Sequence, residues 1–199
     1  LNSLGCVCKP EKGDEKLLSY LWKHKHLTPF EMAGLTIEVK APIFVFREWH
    51  RHRTQSYNEM SARYIPLPNE NYIPTIERCI PIIDEKNRQA SGTGRIPTRD
   101  EVVNWQLALE STYQQLQDLY EDGINKGIPK ELARLIVPVG RYSRMRASAN
   151  LRNWLAFLTL RMDKNAQWEI QQYANAVGQL INERFPRTWE LFLETREGK

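Results

Sequence analysis

RHRTQSYNEMSARY, Arg51 to Tyr64, is the stretch on which the reading of the whole chain turns. Its fourteen residues hold three arginines (Arg51, Arg53, Arg63), the histidine His52, the acid Glu59, the amide Asn58 and the serines Ser56 and Ser61. Arginine presents a planar fork of donors that fits phosphate or carboxylate at two points. Three such forks around Ser61 and Glu59 suit a phosphorylated ligand that also carries sugar hydroxyls. Composition alone leaves a second reading open, a solvated and positively charged helix end.

Working outward on the N-terminal side, IFVFREWHRHR spaces Ile43, Phe46 and Trp49 by three, which predicts a buried helical stripe with Pro42 at the first helical position. The stretch would then begin on the last turn of a helix and run into a connection, where unpaired backbone groups are open to a ligand. Before it, LTIEVKA alternates as a strand with Leu35, Ile37 and Val39 on one face. Pro29 marks a break. Residues 14–26 read as a short amphipathic helix carrying Leu17, Leu18, Leu21 and Trp22.

On the C-terminal side, NENYIPTIERCIPII places beta-formers among prolines and predicts short or edge strands and loops. Residues 84–97 read as a flexible loop, and Gly92-Thr93-Gly94 within it lacks the preceding strand a phosphate loop needs. Thr98 and Glu101 form a capping-box pattern. A long helix follows with Val102, Leu109, Tyr113, Leu116 and Tyr120 inward, stopping near Gly123. A short helix runs from Pro129 to about Ile136, with Glu131 and Arg134 spaced as an i,i+3 ion pair. GRYSRMRASANLRNW includes a strand, after which Asn150 caps a helix whose core face is Leu151, Leu155, Leu158 and Met162. The last long helix, about Asn165 to Phe185, is expected to bury Trp168, Ile170, Tyr173, Val177 and Ile181.

With 199 residues, 41% hydrophobic and 26% charged, the chain fits one domain, residues 1–199, with a sizeable core. No apolar run approaches the ~20 residues that span a bilayer. LNSLGCVCKPEKG lacks the pattern of a signal peptide. Three cysteines, Cys6, Cys8 and Cys79, form no zinc spacing and no CxxC pair, which fits a reducing cytoplasm. The net charge of +4 suits anionic small molecules and is too small to argue for nucleic acid. The four histidines fall as His24-Lys25-His26 and His50-Arg51-His52. Residues two apart do not share a helix face, and each pair encloses a cation that repels a metal, so a metal site is disfavoured.

Arg51-His52-Arg53, seven residues, then Ser61 resembles the signature of the flavin-dependent thymidylate synthases, and the match continues through Glu59, Arg63 and Tyr64. Further blocks agree in the same order. They are HLTPFE at 26–31, VKAPIFVFREW at 39–49, KELARLIVP at 130–138, NLRNWLAFLTLR at 150–161 and AQWEIQQYA at 166–174. The resemblance implies an α+β fold, a largely antiparallel sheet packed with several helices. It implies methylation of dUMP to dTMP with methylenetetrahydrofolate as carbon donor, FAD as redox cofactor and NADPH as reductant. It also implies a homotetramer whose active sites collect residues from several subunits. The chain opens on Leu1 rather than Met, and the family usually has an additional N-terminal segment, so further residues are expected to precede it.

Carried onto this sequence, the resemblance implies that Thr28, Arg51, His52, Arg53, Glu59, Asn150 and Arg152 face FAD. For dUMP it implies Glu48, Arg51, Glu59, Met60, Ser61, Ala62 and Arg63, with Arg134 from a neighbouring subunit. Within that set Ser61 to Arg63 hold the phosphate and Glu59 lies near the ribose. Arg161 sits on the uracil edge as the catalytic residue. The chemistry of that role is general. Uracil C5 becomes nucleophilic only as charge develops on O2, N3 or O4, and a guanidinium in a dry site stabilises that charge. Three positions depart from the family: Glu48 is often Gln, Asn165 replaces a histidine, and Ala156 replaces an asparagine. A thiolate mechanism is disfavoured because Cys79 has no nearby histidine to lower its pKa. Ser61 has no clear activating base and reads as a phosphate-binding hydroxyl. A nucleic-acid-binding module and a nucleotide-binding regulatory protein without catalysis remain as alternatives. The first would favour a continuous basic surface with exposed aromatics.

Overall fold

The computed structural model describes residues 13–80 and 95–197. Cys6, Cys8, most of the 84–97 loop and Gly92-Thr93-Gly94 lie outside the described residues. The elements in order are α1 Asp14–Lys23, α2 Thr28–Glu31, β1 Gly34–Pro42, α3 Ile43–Trp49, β2 Ser56–Glu59, α4 Ile76–Cys79, α5 Arg99–Asn125, α6 Lys130–Ala133, β3 Tyr142–Asn150, α7 Leu151–Arg161, α8 Trp168–Arg184 and α9 Pro186–Glu197. A 3-10 turn, Arg134–Ile136, follows α6. Among these no helix is long and apolar enough to cross a membrane.

The three strands form an antiparallel sheet in the order β1-β3-β2. Gly34 pairs with Asn150 at one end of β1–β3 and Pro42 with Tyr142 at the other. β2 lies on the far side of β3, with Ser56 opposite Ser148 and Glu59 opposite Met145. Side chains alternate across the pleat. Ile37, Val39, Ala41, Met145 and Ala147 therefore face the core, while Thr36, Glu38, Lys40, Arg144 and Arg146 face outward. On that outer face Glu38 accepts from Arg146 at 3.3 Å and lies 3.8 Å from Arg144.

Against the inner face pack Val45, Phe46 and Trp49 of α3, Leu151, Trp154, Leu155, Phe157 and Leu158 of α7, and Ile170, Ala174, Val177 and Ile181 of α8. Trp49 stacks on Phe157 with centroids 4.7 Å apart and meets Trp154 edge-on. The indole N–H of Trp154 donates to the Leu35 carbonyl at 2.9 Å, which ties α7 to β1. The caps behave as their sequences require. Thr98 Oγ1 accepts from the Glu101 N–H at 3.2 Å while Glu101 Oε2 accepts from the Thr98 N–H at 2.9 Å. Asn150 Oδ1 accepts from the Asn153 N–H at 2.9 Å and starts α7.

Several expectations are corrected. Pro42 ends β1 and caps α3 instead of opening it, because its ψ of 146° is extended. Helix α3 stops at Trp49, so Arg51 to Tyr64 begins past the helix and contains a strand, β2. Residues 69–80 hold one isolated bridge, Asn71 to Arg141, and the short helix α4, where a Thr75 cap outweighs the beta-formers. Helix α5 runs through the buried Gly123 and ends at Asn125, beside Ala133 and Ile128. Trp168 is 46% exposed, since it opens α8 before the helix reaches the core. Leu17 is exposed too, and α1 buries no residue. The chain also continues into α9, whose Leu191 and Phe192 are buried and whose Thr195 accepts from the Trp22 indole at 2.8 Å.

Candidate functional site

The predicted residues fall into three groups in space. The first lines a cavity of about 600 Å³ between α3, β2 and the turn after α6. Glu59, Met60, Ser61 and Ala62 line it with Arg134 of the same chain, where the resemblance implied an Arg134 from a neighbouring subunit, and so do Arg47, His50 and Ser143, which the sequence reading had not singled out. The pleat explains the position of Glu59. It shares the face of Met145, its partner across the ladder, and that face points under the sheet towards α3. Arg47 and His50 are three apart on α3 and its cap, so they look the same way. That spacing was the available signal for them. Ser143 is 1% exposed and its hydroxyl has no partner among the described residues. Arg47 and Arg134 form no ion pair among the described residues, which leaves two cationic forks facing this space.

Arg63 does not line this cavity. Its Nε donates to Glu131 Oε2 at 3.1 Å and an Nη lies 2.9 Å from the same oxygen. The expected Glu131–Arg134 pair is therefore replaced by a pair across 68 residues of sequence. The Ser61 hydroxyl accepts from the Arg63 N–H at 3.3 Å and keeps its own proton free to donate.

The second group joins the ends of α3 and α7. Arg161 Nη1 donates to Glu48 Oε2 at 2.8 Å, Nη2 to the Glu48 carbonyl at 3.0 Å, and Nε to His52 Nε2 at 2.8 Å. Since His52 accepts through Nε2, its neutral ring carries the proton on Nδ1. Burial and the Arg161 cation push the His52 pKa down from 6.5 to about 4, against a smaller opposing pull from Glu48. Its ring sits edge-on to Phe157 at 4.8 Å. Tyr57 braces the same turn: its single hydroxyl proton is shared between the carbonyls of His52 at 2.7 Å and Trp49 at 3.1 Å, and burial pushes its pKa up to about 12. Gln55 Oε1 accepts from the Trp49 indole at 3.0 Å.

A pH prediction follows from His52. Folding holds the ring neutral, so the unfolded chain binds its proton more readily between pH 6.5 and about 4. The stability that His52 contributes is complete above pH 6.5 and declines as pH falls through that window. The His52 ring resonances are expected to stay unchanged between pH 8 and 5 in an NMR titration, and a midpoint near 6.5 would contradict the Arg161 contact.

The third group runs along α7. Thr54 accepts from Asn153 Nδ2 at 3.2 Å while His52 meets Phe157 and Arg161, so residues 52–54 trace α7 from its last turn to its first. Arg51 and Arg53 flank this path, exposed and without an ion pair among the described residues. At the N-terminus of α7 Arg152 pairs with Glu31 of α2, whose first residue is the exposed Thr28. Asn150 spends its oxygen on the cap and keeps its amide N–H groups. Two unpaired arginine forks beside a helix N-terminus form a donor set that fits a diphosphate. Ala156 is exposed one turn after Arg152 and adds no polar atom there. Asn165 is exposed and its N–H donates to Asp163 Oδ1 at 2.8 Å. Cys79 is half-buried, and burial pushes its thiol pKa up against the pull of Arg78, the wrong direction for a thiolate nucleophile.

Comparison with known proteins gives one consistent result. Residues 4–187 match the family described as thymidylate synthase complementing protein. The chain is 40% identical over 192 residues to a flavin-dependent thymidylate synthase of Thermotoga neapolitana, covering 96% of this chain and 82% of that one. It is 38% identical to a flavin-dependent thymidylate synthase of Thermus thermophilus, covering 96% of this chain and 68% of the relative. Among solved structures it is similar to a UMP/dUMP methylase, PolB from Streptomyces cacaoi, bound with 5-Br UMP. That match has a TM-score of 0.82 and 29% identity, and it covers 94% of this chain and 84% of the other.

Proposed function

The chain belongs to the thymidylate synthase complementing family, the flavin-dependent thymidylate synthases, and from that premise we propose that the cavity at Glu59–Ala62 receives dUMP and that α7 carries the flavin. The reaction is methylation of dUMP to dTMP with a flavin cofactor. The observation that carries the site assignment is the convergence of Ser61, Arg134, Arg47 and His50 on one cavity beside a single carboxylate, Glu59. A phosphomonoester needs cationic forks and hydroxyl donors, and a ribose needs an acceptor.

In this reading the Ser61 hydroxyl, the backbone from Met60 to Ala62 and Arg134 hold the phosphate, and Glu59 accepts from the ribose. Arg63 joins them by exchanging Glu131 for the phosphate. Thr28, Arg51, His52, Arg53, Glu59, Asn150 and Arg152 hold FAD, which when bound supplies the redox chemistry between NADPH and the carbon donated by methylenetetrahydrofolate. Arg161 stabilises charge developing on the pyrimidine, and the neutral His52 and Glu48 hold its guanidinium in place.

The cavity group and the Glu48–Arg161 group are lined by different residues of one chain. This division supports an assembly in which the Arg51–Arg161 side of one subunit meets the Ser61–Arg134 side of another, as in a homotetramer. Trp105, Leu107, Leu119, Leu135 and Val139 are all more than half exposed, apolar side chains open to such contacts. One hydrophobic cluster shared by the sheet, α3, α7 and α8 supports a one-domain reading of residues 1–199. The free Cys79 fits a reducing cytoplasm.

The purified protein is expected to be yellow, or to turn so on titration with FAD, and then to oxidise NADPH. A colourless preparation whose spectrum ignores FAD overturns this reading and favours a nucleotide-binding protein without catalysis.

A further inference from the structure

Glu48 holds the Arg161 guanidinium at two points, through its carboxylate and through its own carbonyl. That carbonyl lies in the last turn of α3 and also accepts from the Arg51 N–H at 3.3 Å, so it is held from both sides. With Nε given to His52, three of the five N–H groups of Arg161 are engaged within the chain and two remain for a ligand. The Arg161 side chain is only 17% exposed, whereas Glu48 is 40% exposed. The acid thus reaches inward from the rim to the guanidinium.

We propose that Glu48 is the positioning residue of Arg161 and acts on the reaction through its guanidinium. The proposal rests on the reading that Arg161 meets the pyrimidine. A free arginine side chain samples many rotamers, and an electrostatic contact acts on a transition state only when its geometry is set beforehand. Two bonds from one residue, with a third from His52, fix both the plane and the in-plane rotation of the guanidinium. The acceptor oxygen is what this requires, so glutamine at position 48 serves as well as glutamate. A role confined to nucleotide contact predicts something different, a change in nucleotide affinity with turnover intact.

The test compares Glu48→Ala, Glu48→Gln and Arg161→Ala, alone and with Glu48→Ala added to Arg161→Ala, in the flavin-loaded enzyme with dUMP. Thermal unfolding of each variant shows that it is folded. Glu48→Ala is expected to lower methylation kcat about tenfold, within the range that a misplaced catalytic group causes, and to change the dUMP KM by less than about threefold. Glu48→Gln is expected to stay within about threefold of the wild type, since its oxygen still accepts from Nη1. Adding Glu48→Ala to Arg161→Ala is expected to cost nothing further, because a residue that acts only through Arg161 has nothing left to position. Normal turnover in Glu48→Ala overturns the inference. So does a raised dUMP KM in both Glu48 variants with kcat intact, and so do additive losses in the double variant. Normal turnover in Arg161→Ala overturns the reading beneath it and the inference together, which separates the two failures.

Discussion

Arg161→Ala will lower the rate of dUMP methylation at saturating nucleotide by ~10² or more, the scale on which removal of one charge-stabilising donor acts. That is about 2.7 kcal/mol of transition-state stabilisation. The interaction strengthens as charge moves onto the uracil ring, so it acts on kcat more than on KM. The structure adds a complication. The substitution also removes the bonds to Glu48 and His52 that join the end of α7 to the end of α3. A net loss of stability of about 1–3 kcal/mol is expected from those contacts, and single-turnover rates must be measured well below the unfolding midpoint. Flavin reduction by NADPH provides the internal control, because that half-reaction develops no charge on uracil. If Arg161 only braced the two helices, methylation in the folded variant would run at a near-normal rate, and the residue would leave the catalytic list.

The second large effect concerns binding. Arg134→Ala is expected to weaken dUMP affinity by roughly ten- to a hundredfold, the equivalent of losing one charge-assisted phosphate contact worth about 1.5–3 kcal/mol. Arg134 suits this measurement because it lines the cavity, is exposed and forms no ion pair among the described residues. Its removal orphans no acid, so stability should barely change. Arg63→Ala is a poorer probe, since it would leave Glu131 without its partner and mix two effects. Isothermal titration with dUMP, alongside light scattering, reads both affinity and assembly. Unchanged affinity would take Arg134 out of the phosphate site. An active monomer would refute the shared-site arrangement.

How much of this was legible beforehand depends on the distance over which each feature is set. Strand β1 followed from its alternation, and the Thr98 and Asn150 caps followed from residues three positions away. These are local matters of backbone geometry and hydrogen bonds within one turn. The proposed phosphate-, flavin- and base-facing residues were read by resemblance, from the order of Arg51, His52, Arg53, Glu59 and Ser61 and the blocks around it.

Other features rest on pairings that no local pattern carries. Ser56–Glu59 is short and mixed in polarity, and it becomes a strand only because β3, nearly a hundred residues away in sequence, offers it a ladder. Glu131 looked paired to its helical neighbour but is claimed by Arg63, since a side chain takes the partner that the fold brings into reach. Arg47, His50 and Ser143 reach the cavity through the direction of α3 and the pleat of β3. Legible from the chain were β1, the strand before Asn150, the longer helices α5, α7 and α8, their caps at Thr98 and Asn150, and the candidate residues of the site. The tertiary structure decided which of them share a cavity, and it set the 113-residue contact that locks Arg161 to Glu48. Periodicity and capping act within a turn of backbone, while ladders, ion pairs and cavities depend on the packing of the whole core.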